Sequence, residues 1–117
     1  MRKIIKYIDS IKSSIEFRVG QNAQENFDLL DDSFPQDLWF HISEESSCHV
    51  VATIPTDSNY DRKGMKKIAI QGAIVCKQHC RYKSEKDIRV VYTTIDNVKK
   101  SKYVGMVSVD NYKTIVV

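Results

Sequence analysis

The sequence holds 117 residues, 42% hydrophobic and 28% charged, with one Trp, six Tyr, four Phe and a formal net charge of +3. That make-up reads as one globular domain over residues 1–117 and excludes intrinsic disorder as the main state. The longest run without Asp, Glu, Lys or Arg, Ser46 to Thr56, is far shorter than the ~20 apolar residues of a membrane span, and MRKIIKYIDSIKSS lacks a signal peptide's apolar stretch.

In chain order, the first segment admits two readings. Ile4, Ile8, Ile11 and Ile15 would line one face of a helix, yet Lys3 to Ile8 could equally pair with Ile15 to Val19 as a hairpin across Ser10 to Ser14. Ile15, Phe17 and Val19 alternate with Glu16 and Arg18, the period of a half-buried strand, and Gly20 ends it. NAQENFDLLDD then reads as a short helix, with Asn22 as cap, Glu25 completing a capping box, and Phe27 and Leu30 facing inward. Asp37 to Ile42 alternates again: Leu38, Phe40 and Ile42 on one face, Asp37, Trp39 and His41 on the other. A polar six-residue loop leads to a second strand, His49 to Ile54, so the pair reads as an antiparallel hairpin.

The next segment carries the principal helix. Met65, Ala69, Gly72, Ala73, Cys76 and Cys80 recur at spacings of three and four, a stripe of small residues that can approach a sheet closely, while Lys63, Lys66, Lys67, Lys77, Arg81 and Lys83 fall elsewhere on the cylinder. Ile88, Val90 and Tyr92 alternate with Arg89, Val91 and Thr93 as a strand. Asp96 to Lys100 reads as a polar connection, and Val104 to Val109 and Lys113 to Val117 as the closing strands. The fold class is α+β: a mainly antiparallel sheet with one principal amphipathic helix and a short helix.

Charge is segregated along the chain. Glu16 to Glu45 carries one basic residue, Arg18, against eight acids, a net −7, whereas Tyr60 to Tyr103 carries twelve basic residues against four acids, a net +8. The basic half is where a polyanion would be steered, and nucleic acid is the commonest such partner. Most single lysines on such a domain simply solvate its surface.

Chemistry is sparse. The four glycines stand apart, so no phosphate loop exists. Cys76, His79 and Cys80 share a helix face but lack a second ligand pair, and the cysteines read as small buried hydrophobes, so neither a metal nor another cofactor is expected. No complete catalytic set can be assembled, so an enzyme is not expected. Three cysteines without framework spacing fit a reducing compartment, and a cytoplasmic protein without membrane association is expected. The sharper constellation is Asp37, Trp39 and His41 with His49. If the hairpin pairs as drawn, the two histidines are neighbours and Asp37 could orient an imidazole. A Trp beside two His also offers a stacking surface for a base; alternatively Trp39 belongs to the core and the histidines satisfy local hydrogen bonds.

The ordered motifs VGQNAQEN (Val19 to Asn26), DLWFH (Asp37 to His41), SSCHVV (Ser46 to Val51), VVYT (Val90 to Thr93), NVKK (Asn97 to Lys100), VGMV (Val104 to Val107) and YKTIVV (Tyr112 to Val117) resemble the NFACT-R domain. This is the RNA-binding domain at the C-terminal end of the large NFACT proteins of ribosome-associated quality control, and it also occurs alone in short eukaryotic proteins. The resemblance runs from about Phe17 to the C-terminus. Two positions depart: the family's usual Arg of a G-R-N-A element is Gln21, and its usual G-S-H is Ser47-Cys48-His49. The resemblance implies a non-enzymatic RNA-binding module, with transfer or ribosomal RNA as partner. On that reading Lys99 and Lys100 contact phosphates from the connection before the Val104 strand. Lys63, Lys66, Lys67, Lys77 and Arg81 extend the surface along the helix, and Asn22, Trp39, His41 and His49 form the motif cluster. The competing reading is a protein-interaction adaptor whose acidic stretch, Asp28 to Asp37, docks a basic partner.

Overall fold

The N-terminal segment is a hairpin. In a computed structural model describing residues 1–45 and 47–117, β1 (Arg2–Ile8) pairs antiparallel with β2 (Ser13–Gly20), Ile4 opposite Phe17 and Lys6 opposite Ile15. The connection is a 3₁₀ turn, Asp9–Ile11, closed by Lys12 in the left-handed region at φ 55°. A spacing of four serves both readings of the isoleucines, because it is a helical turn and also an even number of strand residues; Ile4 and Ile8 therefore share a sheet face. Ser46, the first residue of the SSCHVV element, lies outside the described residues.

The remaining elements are α1 (Ala23–Asp31), β3 (Leu38–Ile42), β4 (His49–Ala52), α2 (Arg62–Gln78), β5 (Arg89–Thr94), β6 (Val98–Lys100), β7 (Val107–Val109) and β8 (Lys113–Val116). Six strands form one sheet in the order β1-β2-β4-β3-β5-β8, every neighbouring pair antiparallel, and β6 and β7 form a separate hairpin. The fold is α+β with one longer and one short helix.

Both faces of the sheet are covered. Helix α2 starts at Asp61, whose carboxylate accepts the Gly64 N–H at 2.8 Å, and lays Ile68, Ala69, Ala73 and Cys76 on Phe17, Phe40, Val50 and Val90. Its approach is close. A Cβ on Gly72 would stand 2.1 Å from Phe40 Cζ. The small stripe is as expected over most of its length, but Ile68 and Val75 are buried with it, and Cys80 lies beyond the last helical turn and is only half-buried. The opposite face is closed by α1 and the β6–β7 hairpin, where Leu29, Trp39, Val51 and Ile95 are buried and Val91, Val98, Val107 and Val109 are partly so.

Two local readings need correction. Asn26 and Leu29, not Phe27 and Leu30, are the buried residues of α1, and the Lys100 ammonium lies 5.0 Å from the centre of the Phe27 ring. Asp96 to Lys100 is not merely a connection, because a 3₁₀ turn at Ile95–Asn97 leads into β6, with Lys99 opposite Ser108 and Lys100 opposite Val107. With a single apolar residue in three, Val98, that strand has no alternation to read. Likewise the Val104 strand begins only at Val107, after a turn whose Gly105 (φ 84°) sits against Ala23 of α1.

Candidate nucleic-acid interface

The acid of the DLWFH element does not serve the histidines. Asp37 is fully buried; its carboxylate accepts the Ile54 N–H and the Phe34 N–H, both at 2.9 Å, and faces the Arg18 guanidinium at 3.8 Å. Arg18 in turn donates to Ser33 Oγ at 3.0 Å. This network ties β2, β4 and the α1–β3 connection together, so Asp37 acts in the scaffold. In the same acidic stretch Asp31 pairs with Lys100, which leaves less free charge for a basic partner than the sequence suggested.

The aromatic part of the motif forms a compact cluster. Trp39 Nε1 donates to His49 Nδ1 at 3.2 Å, so the proton of the neutral His49 ring sits on Nε2. His41 stacks parallel to Trp39 (centroids 5.7 Å, 3° between planes), and His49 stands edge-on to both. Trp39 and His49 are 2% and 3% exposed, whereas His41 is only half-buried. Burial, then the neighbouring His41, holds the His49 pKa near 3, and burial lowers that of His41 too, so both rings are neutral at physiological pH. The cluster is fixed from α1: Asn26 Oδ1 accepts the His49 N–H at 3.2 Å, and Gly20 admits Asn26, since a Cβ there would stand 2.3 Å from that oxygen. Asn22 caps α1, accepting the Glu25 N–H at 2.9 Å. The capping box is shifted by one residue, as Glu25 accepts the Gln21 N–H rather than that of Asn22. Asn22, Trp39, His41 and His49 thus line one groove of about 1040 Å³ between α1, the β3–β4 loop and the Val104 to Val107 turn.

A second groove, about 740 Å³, opens where the start of α2 meets the β5 and β8 edge. Arg62, Lys63, Lys66 and Lys113 line it, together with Tyr92, Asn97 and Asn111. Among the described residues none of the four cations has an ion-pair partner, and Lys66 lies 5.9 Å from the centre of the Tyr92 ring. Such a set offers phosphate-neutralising charge beside an aromatic face and neutral amides.

The sequence-derived lysines do not all meet here. Lys67 lines a small separate cavity with Tyr60 and Asp61. Lys77 and Arg81 lie at the far end of α2, where Lys77 donates to the Val117 carbonyl at 3.0 Å, and Arg81 donates to Tyr82 Oη and faces Glu45 at 3.9 Å. Lys99 and Lys100 sit on β6, whose hairpin packs on the sheet face opposite α2.

This arrangement coincides with a known domain, since the family model described as the NFACT protein RNA binding domain matches residues 7–110. The chain belongs to the NFACT RNA-binding domain family. It is similar to coiled-coil domain-containing protein 25 of Danio rerio, at 32% identity over 93 residues, which is 71% of this chain and 40% of that protein. The Mus musculus protein of the same name is 31% identical over 99 residues, 76% of this chain and 43% of that protein. The chain therefore spans about two fifths of the length of these relatives. The fold is shared with the C-terminal part of the fibronectin/fibrinogen-binding protein from Streptococcus suis, with a TM-score of 0.74 over 88% of this chain and 41% of that one at 21% identity.

The NFACT match begins before Phe17 and stops before Tyr112, so β2 is included, whereas most of β1 and all of β8 lie outside it. Strand β8 nevertheless completes the basic groove, because its pairing sets Lys113 opposite Tyr92. Lys113, Arg62, Asn97 and Asn111 were not among the contact residues the sequence pointed to, although Asn97 opens the NVKK motif. Arg62 was legible as one more basic residue at the head of α2, but nothing in the sequence places Lys113 beside it. Among the described residues no helix is long and apolar enough to cross a membrane.

Proposed function

We propose that this NFACT domain is a non-enzymatic module that binds structured RNA of the translation apparatus, transfer or ribosomal RNA, in the cytoplasm and in the service of ribosome-associated quality control. The observation that carries the reading is the quartet Arg62, Lys63, Lys66 and Lys113 around one groove, without ion-pair partners among the described residues. Phosphate contact by such a quartet releases counterions, so log affinity should fall linearly with log salt at roughly −0.7 to −0.9 per phosphate. Fluorescence anisotropy with labelled transfer RNA and a ribosomal RNA hairpin measures the slope. Changing Arg62, Lys66 and Lys113 together to Ala should flatten it by about two to three while leaving melting nearly unaltered. Affinity indifferent to salt, or a variant binding like the parent, refutes the groove as the contact surface. Crosslinking in cell extract with sequencing of the bound RNA tests the finer reading, which expects transfer or ribosomal RNA to be enriched.

A further inference from the structure

The groove at the start of α1 differs in kind from the basic one. Among its described lining residues there is no lysine or arginine, so an RNA backbone finds no counter-charge there. Of its two acids, Glu45 is held by Tyr82 Oη at 2.7 Å and faced by Arg81, and Glu44 stands at φ 60° in the loop. The floor is heteroaromatic: half-buried His41 stacked on Trp39, with His49 edge-on. His49 is 3% exposed, its Nδ1 is taken by the Trp39 indole, and its Nε2–H has no hydrogen-bond partner among the described residues. Opposite stand apolar side chains that the fold leaves open, Val104, Met106 and Tyr112, each more than half exposed.

A ligand for this site is uncharged where it enters, presents a flat π-face, and carries acceptors on its edge for a neutral imidazole N–H and the Gln21 and Asn22 side chains. An unpaired nucleobase has all of these; a phosphate carries acceptors but is charged and has no π-face. The volume of about 1040 Å³ stands at the top of the range of small-molecule sites and leaves ample room for one base. Resting on the RNA-binding reading above, we propose that this groove is a slot for one unpaired base of the bound RNA, stacked against His41 and hydrogen-bonded by His49 Nε2, while the basic groove holds backbone. The domain then selects RNA with single-stranded or flipped-out positions over continuous duplex, since bases inside an A-form helix cannot reach the slot.

Trp39 is the chain's one tryptophan and touches both histidines, so its emission reports on the floor of the slot. The test titrates the full chain with a mixed-sequence single-stranded RNA decamer and with its duplex, following anisotropy for binding and Trp39 emission for occupancy. The expected result is a saturable emission change with the single strand and none with the duplex. His41→Ala should weaken single-strand binding roughly 5- to 150-fold, the range of one base stack, and leave duplex binding within about twofold. Met106→Ala, on the exposed lip where folding is not at stake, should weaken it in the same direction. Three results overturn the slot and leave RNA binding standing: equal emission changes with both RNAs, none with a single strand that anisotropy shows bound, or both variants binding as the parent does. The last of these would turn the groove over to a protein partner. Binding of neither RNA overturns the functional reading, and the slot with it.

Discussion

Acidification from pH 7.5 to 5.0 should reduce the free energy of unfolding by about 2 kcal/mol through His49 alone. In the folded chain this imidazole is 3% exposed, and burial together with the neighbouring His41 holds its pKa near 3, against an ordinary value of 6.5. The unfolded chain imposes neither constraint. Between pH 6.5 and about 3 the unfolded state binds a proton that the folded state does not, so the stability is fully present above pH 6.5 and is lost as pH falls. Each unit below 6.5 removes roughly 1.4 kcal/mol, hence about 2 kcal/mol at pH 5.0, a large fraction of the 5–15 kcal/mol typical of a domain. His41 and His79, both lowered chiefly by burial, act in the same direction. Glu25, whose ordinary value of 4.5 is lowered in the folded chain by the N-terminal ammonium and the Gln21 N–H, adds its own loss of stability mainly below pH 5.0, past the end of the interval compared. Urea unfolding followed by circular dichroism at several pH values, on the parent and on His49→Asn, isolates the effect. The asparagine retains an acceptor for the Trp39 indole but does not titrate. Its stability should be flatter with pH by about the stated amount, and parallel curves for the two proteins would refute the reasoning.

Trp39→Ala should cost about 3 to 5 kcal/mol through lost burial and a cavity beneath α1, with RNA binding failing because folding fails; a variant with parental melting and weakened binding would show that the ring is a platform instead of core. Gly72→Ala should destabilise by about 1 to 3 kcal/mol in thermal melts, since the added methyl enters the Phe40 ring and the helix must move away. Lys99→Ala should reduce the RNA salt slope by about one phosphate, and Lys100→Ala by less, because Asp31 already pairs with that ammonium. Equal and full losses at both positions in anisotropy titrations would mean that RNA displaces Asp31.

The sheet pattern was legible because successive side chains of a strand point to opposite faces whatever covers them: the two-residue spacing alone set Phe17, Phe40 and Val90 on faces distinct from Arg18, Trp39 and Val91. The motif cluster was legible for a related reason, since the hairpin forces His41 and His49 together once its register is granted. Phe27 in α1 and Val98 in β6 were not, because a short helix and a three-residue strand carry too few residues to show a period, and packing against Leu29 and Trp39 decides which side turns inward.

By itself the sequence determined the α+β class, the principal helix with its small stripe, the charge segregation and the motif series that marks an NFACT domain. All of these are local or compositional, written in spacings of two to four residues or in counts along the chain. Tertiary structure alone decided that Asp37 serves Arg18 and two backbone amides, that the lysines divide between opposite sides of the sheet, and that Lys113 completes the groove begun by Arg62. Each of those depends on which distant strands pair, and pairing across tens of residues is settled by the burial of both sheet faces at once, a quantity that no window of sequence contains.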